Sequence, residues 1–229
     1  MERLGCFVRL VWLTPPYYTT LKILIITQPQ FFEGETAMVN ALFQHGLERL
    51  HLRKPKSSAT EMAEWIAQIA PPFRRRIVVH DHYDLALSYG LGGVHLNQRN
   101  PLPPAWVEEK GGFTVSRSCH SIQEVADNLD LCDYLTLSPI FDSISKEGYG
   151  AAFGRQELVA ARDRCLLSDK VYALGGVSAE TIDELRDLGF YGAAILGDLW
   201  KLSPDIHAMV SRLGEYQYSL SSPRALMAR

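Results

Sequence analysis

A short β-branched or leucine-rich run, a polar turn and a stretch with helical spacing recur between residues 21 and 200, and this recurrence limits the fold more than any single residue does. The runs that read as strands are 21–27, 48–52, 76–80, 93–96, 113–116, 133–137, 171–174 and 192–196. Between them, "TEMAEWIAQIA" (60–70) carries apolar residues three and four apart, and "SAETIDELRDLG" (178–189) has a serine cap, early acids and a terminal glycine. Strands that alternate with helices pair in parallel. Eight such units predict a (β/α)8 TIM barrel, with a doubly wound open sheet as the runner-up.

Both ends of the chain lie outside the repeat. The pattern predicts an N-terminal extension (1–20), one barrel domain (21–213) and a loosely held tail (214–229) in which periodicity is lost. Arg9 interrupts the early apolar patch and "TPPYY" follows it, which argues against a signal peptide, and no run reaches the roughly 18 apolar residues of a membrane span. A formal net charge of -3 gives no general attraction to nucleic acid or anionic lipid. The basic triplet Arg74–Arg76 reads as a solvated loop entering a strand. Four scattered cysteines without a C-x-x-C pair fit a reducing cytoplasm. Self-association is left open.

In a barrel of this kind chemistry sits at the C-terminal ends of the strands. Here those ends are polar: His51 and Arg53, His80 and Asp81, His95 and Asn97, then Arg117 and His120 in "SRSCHS". A lone histidine is ordinarily a hydrogen-bonded structural residue, but four of seven on one predicted rim favour a site. "LGGVSAE" (174–180) and "ILGDLW" (195–200) follow strands 7 and 8, where barrels commonly bind phosphate, and Gly175, Gly176 and Gly197 would admit its oxygens. The long connection 138–154 reads equally as a lid and as a surface excursion, and offers Ser143, Ser145 and Lys146 to an anion.

Seven segments, "HLRKP", "VHDHYDLAL", "GGVHLNQRN", "SRSCHS", "DYLTLSPIFDSISKEG", "VYALGGVSAETI" and "GFYGAAILGDLW", resemble in order and spacing the motif series of the thiamine phosphate synthase and thiazole tautomerase superfamily, over about residues 21 to 201. The resemblance implies a barrel that binds a thiazole phosphate as its small-molecule partner, with phosphate contacts at Ser143, Ser145, Gly176, Leu196 and Gly197.

Departures from the synthase pattern point to the other branch. The synthase carries Gln-x-Arg-Glu-Lys after strand 2, and this chain has His51, Arg53, Lys54 and Pro55. The synthase's magnesium carboxylates are reduced to Asp81, with Asn100 at the second position. "SRSCHS" instead matches the tautomerase form, which implies His120 as the catalytic acid/base, His51 or His80 as a second one, and Arg53, Arg117 and Lys146 as anion-binding cations. Three readings result. The first is an aromatising tautomerase of a carboxythiazole phosphate, an isomerase with no metal or cofactor. The second is a thiamine-phosphate synthase, a transferase in which Asp81 would hold Mg2+. The third is a thiazole-phosphate-binding regulatory protein without chemistry.

Overall fold

Each of the eight apolar runs forms a strand, and consecutive strands pair in parallel until β8 meets β1 and closes the sheet. The structure, a computed structural model, describes residues 21–142, 151–167 and 169–221, with side chains as far as Gln217. Ser143, Ser145, Lys146 and the extension 1–20 lie outside the described residues. The strands are β1 (Lys22–Ile26), β2 (Arg49–Leu52), β3 (Ile77–Val79), β4 (Gly93–Leu96), β5 (Thr114–Cys119), β6 (Tyr134–Leu137), β7 (Val171–Leu174) and β8 (Gly192–Ile195). Between them lie α1 (Glu35–Gln44), α2 (Ala59–Ala67), α3 (Asp84–Tyr89), α4 (Trp106–Lys110), α5 (Ile122–Asn128), α6 (Arg155–Asp163) and α7 (Ile182–Asp187). A short α8 (Gly197–Trp200) and a long α9 (Ile206–Ser221) follow β8. This is the (β/α)8 barrel, and the open-sheet alternative falls.

Alternation along the strands sorts the core into two regions. Outward residues such as Leu50, Leu52, Ile77, Val79 and Val94 pack with helix residues into the main core. Inward residues Leu24, Ile26, Tyr134, Tyr172 and Ala194 form a smaller cluster inside the barrel. The remaining interior is polar: His51, His80, His95, Ser116 and Thr136 are all buried. Among the described residues, no helix is long and apolar enough to cross a membrane.

Local chemistry moved several boundaries. Serine capping holds at α2, where Ser58 Oγ accepts from the Glu61 amide and Glu61 accepts from the Ser58 amide. It fails at Ser178. There Thr181 Oγ1 accepts from the Ser178 amide, so a turn intervenes and α7 begins at Ile182. The arginine triplet is not a solvated loop. It ends a 3-10 turn, Pro71–Arg76, in which Arg74 donates to the Ile69 carbonyl and Arg76 to those of Phe43 and Leu47. The chain also does not loosen directly after Gly214: α9 runs on to Ser221, and Tyr216 is fully buried with its hydroxyl donating to Asp198 at 2.7 Å.

Candidate active site

A cavity of about 620 Å³ opens at the C-terminal ends of the strands. Its floor is made by His80, His95, Ser118 and Thr136, and Ile26, Leu174, Ala194 and Leu196 give it an apolar wall. On the β2 to β4 side stand Arg53 and Arg99, and on the β7 to β8 side stand Gly175, Gly176 and Gly197. In a closed ring of eight strands β3 and β7 lie opposite one another, so cations and glycine loops face each other across the mouth.

His120 is where the sequence placed it. It is the first residue after β5, exposed at the cavity wall. Its amide donates to Glu124 Oε2 at 2.6 Å while Ser121 Oγ accepts from the Glu124 amide, so the start of α5 fixes the strand exit. Its Nδ1 lies 3.1 Å from the Ser138 carbonyl oxygen, which can only accept. In the neutral ring this contact favours the tautomer with the proton on Nδ1 and the lone pair on Nε2, and the Ser138 hydroxyl lies farther from Nδ1, at 3.4 Å.

His51 and His80 part company with the expected rim. His51 is fully buried within β2, below the cavity and outside its lining, and contacts His80 Nε2 through Nδ1 at 2.9 Å and the Tyr134 hydroxyl through Nε2 at 2.7 Å. His80 reaches the floor with 4% exposure. Burial first, then the neighbouring His95 and cations, pushes both rings well below the ordinary imidazole range. Burial, followed by Arg117 and Arg53, lowers His95 to about 3. All three are neutral near pH 7, so neither His51 nor His80 titrates near neutrality as the expected second acid/base.

The cations divide as well. Arg53 lines the cavity, with its amide donating to Thr27 Oγ1 at 2.9 Å. Burial, with Arg99 nearby, lowers its pKa while Asp81 opposes the shift. Arg117 lies within β5 and not after it. Its neighbours Ser116 and Ser118 turn inward to His95, so Arg117 turns outward and donates to the Pro101 carbonyl at 2.6 Å. It does not line the cavity. Asp81 is engaged by Arg99 at 3.1 Å and by Asn100 Nδ2 at 2.9 Å.

The strand 7 glycines have a different cause from the one the sequence suggested. Gly176 has φ +65°, and a Cβ there would meet the Asp142 carbonyl oxygen at 2.3 Å and Phe141 Cβ at 2.6 Å. Glycine is required because the loop after β6 lies against this turn. Gly176, Leu196 and Gly197 nonetheless all line the cavity.

Sequence reasoning missed Arg99, Ser118, Thr136 and Asp198, all of which line the cavity. Thr136 Oγ1 is buried with no hydrogen-bond partner. Asp198 accepts from the Ala179 amide, Arg212 and Tyr216, tying the β7 and β8 loops to α9. The signal for Ser118 and Thr136 was period-two alternation, which places them beside Ser116 and Tyr134 on the inward face.

A family model described as thiamine monophosphate synthase matches residues 23–199. The thiamine-phosphate synthase of Syntrophomonas wolfei is 24% identical over 196 residues, covering 82% of this chain and 92% of that one. That of Pediococcus pentosaceus is 28% identical, covering 69% and 77%. The crystal structure of thiamine phosphate pyrophosphorylase from Bacteroides thetaiotaomicron superposes with a TM-score of 0.76 at 35% identity, covering 88% of this chain and 98% of that one. With the match running from β1 to α8, the chain belongs to the thiamine monophosphate synthase family.

Proposed function

We propose that this protein is a thiamine-phosphate synthase, a transferase that joins a pyrimidine pyrophosphate to a thiazole phosphate. The observation that carries this reading is the cavity with two sides suited to anions, Arg53 and Arg99 opposite the Gly176 and Gly197 loops, and an apolar wall between them. Two phosphorylated aromatic substrates need that arrangement. The thiazole phosphate would lie at Gly176, Leu196 and Gly197, with Ser143, Ser145 and Lys146 contributing from the loop after β6, and the pyrophosphate at Arg53 and Arg99. In the transfer the thiazole nitrogen lone pair forms the new C–N bond. The methylene C–O bond breaks and pyrophosphate departs with its electron pair. The cations stabilise that charge, and the apolar wall holds the two rings in register. The expectation of an isomerase yields first place because the relatives that match are named for the synthase.

A protein-held Mg2+ does not fit the residues present. Asp81 is one carboxylate, already bonded to Arg99 and Asn100, and Asp198 is taken up by Lys201, Arg212 and Tyr216. Mg2+ favours several free charged oxygens. No step is therefore assigned to it.

Tautomerisation is kept as a second reading on one observation: His120 stands at the cavity wall with its Nδ1 held by the Ser138 carbonyl. Incubation with pyrimidine pyrophosphate and thiazole phosphate, in EDTA and in Mg2+, separates the readings when thiamine phosphate is quantified by chromatography. Thiamine phosphate is expected. Aromatisation of the carboxythiazole tautomer without it would make the protein an isomerase, and tight thiazole phosphate binding with neither activity would make it a binding protein.

A further inference from the structure

The transfer reaction makes no use of the three imidazoles inside the barrel. One ring nitrogen from each of His51, His80 and His95 lies within 4.8 Å of the other two, and all three residues are buried. We propose that they form a binding site for a transition-metal ion of the Zn2+ class at the cavity floor, with one coordination position open to the cavity.

Hydrogen bonding prepares the lone pairs. Ser116 Oγ donates to the Val94 carbonyl at 3.3 Å, so it accepts from His95 Nδ1 at 2.8 Å. His95 Nε2 is left with its lone pair, next to Ser118 at 2.8 Å on the cavity side. Tyr134, 2.7 Å from His51 Nε2, can accept that proton, which leaves His51 Nδ1 as a lone pair facing His80 Nε2 at 2.9 Å. Moving the His80 proton from Nε2 to Nδ1 then exposes a third lone pair, with no proton gained or lost. In His51 and His95 a hydroxyl on the distal nitrogen fixes the ligating one, as outer partners do for metal-bound imidazoles.

The spacing is close to what an ion needs. Zn–N bonds of about 2.0–2.1 Å in tetrahedral geometry hold nitrogens roughly 3.4 Å apart. The His51–His80 contact at 2.9 Å and the 4.8 Å limit bracket that value, so small ring rotations complete the set. Three neutral nitrogens favour Zn2+, Co2+ or Ni2+ over Mg2+. A second observation points to an occupant. The Thr136 hydroxyl is buried, lacks a partner and lines the same floor, paired across the ladder with Ser118. A water or ligand group on the open position would satisfy it.

The test uses the full chain after chelator treatment. Calorimetric titration with Zn2+ should give one ion per chain, and Co2+ should produce the intense visible bands of tetrahedral coordination. Tyr134→Phe, which removes an outer partner, should weaken Zn2+ binding by about 10–100-fold, and His95→Gln by more. Because a variant of a buried histidine can fail to fold, imidazole nitrogen NMR of the wild type provides the second measurement. Zn2+ should shift the three buried rings and leave the exposed His45, His82 and His207 unmoved. Shifts confined to the exposed rings, an octahedral Co2+ spectrum or no saturable binding would overturn the proposal. None of these readouts depends on the transferase reading.

Discussion

Lys54 Nζ lies 2.7 Å from both carboxylate oxygens of Glu35, and neither side chain is exposed to solvent. Trp65 Nε1 donates to the same carboxylate at 2.8 Å. The pair sits behind β2, so the lysine that follows Arg53 in sequence is withdrawn from the cavity. Burial raises the Glu35 pKa and lowers that of Lys54, with each partner opposing the shift of the other. Lys54→Met leaves a buried carboxylate without its cation and is expected to cost about 3–5 kcal/mol. Adding Glu35→Gln should recover most of that loss. Denaturant titration of the two singles and the double measures it, and additive losses would mean that the pair does not act as a unit.

The interior histidines make stability depend on pH in one direction. Their folded pKa values lie below the unfolded value of about 6.5. Above that value both states are neutral and their contribution is complete. As pH falls below it, the unfolded chain takes up protons that the folded chain refuses, and stability is lost at up to about 1.4 kcal/mol per pH unit for each ring. The charges facing them, Arg49, Arg53, Arg99 and Arg117, are cationic and reinforce the effect, and Asp81 is engaged by Arg99. Chelator-treated protein should lose stability steeply from pH 7 to pH 5, and His95→Gln should flatten the slope. Parallel slopes would remove His95 from the cause.

Gly176→Ala should damage the loop before it damages anything else. The left-handed backbone costs an alanine about 1–2 kcal/mol, and the Cβ must also displace the Asp142 carbonyl oxygen. A lower melting temperature is expected, together with a larger loss of affinity for thiazole phosphate than for its dephosphorylated alcohol. Unchanged melting would show that the β6 loop yields freely.

The barrel was legible because its signal is repeated. Eight apolar runs each had to be buried, and β-branched residues between polar turns leave few other arrangements. The site was legible only at the strand ends. His120, Arg53 and Gly176 fall at the cavity because the strand exits aim them there. Arg117 misled because β5 continues to Cys119, and one residue more or less of strand turns a side chain to the other face. His51 misled for a related reason: it lies inside β2, a layer too deep. The triad it forms with His80 and His95 joins three strands, and no local spacing announces such a contact.

His120 decides between the two reactions. C–N bond formation with pyrophosphate departure moves no proton at the reacting atoms, so a transferase can lose this imidazole and keep its chemistry. Tautomerisation consists of proton movement, and a positioned acid/base typically supplies about 10²–10⁴-fold in rate. Asparagine can still donate to the Ser138 carbonyl that now holds Nδ1, which preserves the wall but removes the basic nitrogen. His120→Asn is therefore expected to lower kcat for thiamine phosphate formation by less than about tenfold, with any larger change appearing in KM. A fall of about 100-fold or more in the rate of carboxythiazole aromatisation, with ligand affinity and thermal stability unchanged, would return His120 to the proton-transferring role that "SRSCHS" suggested.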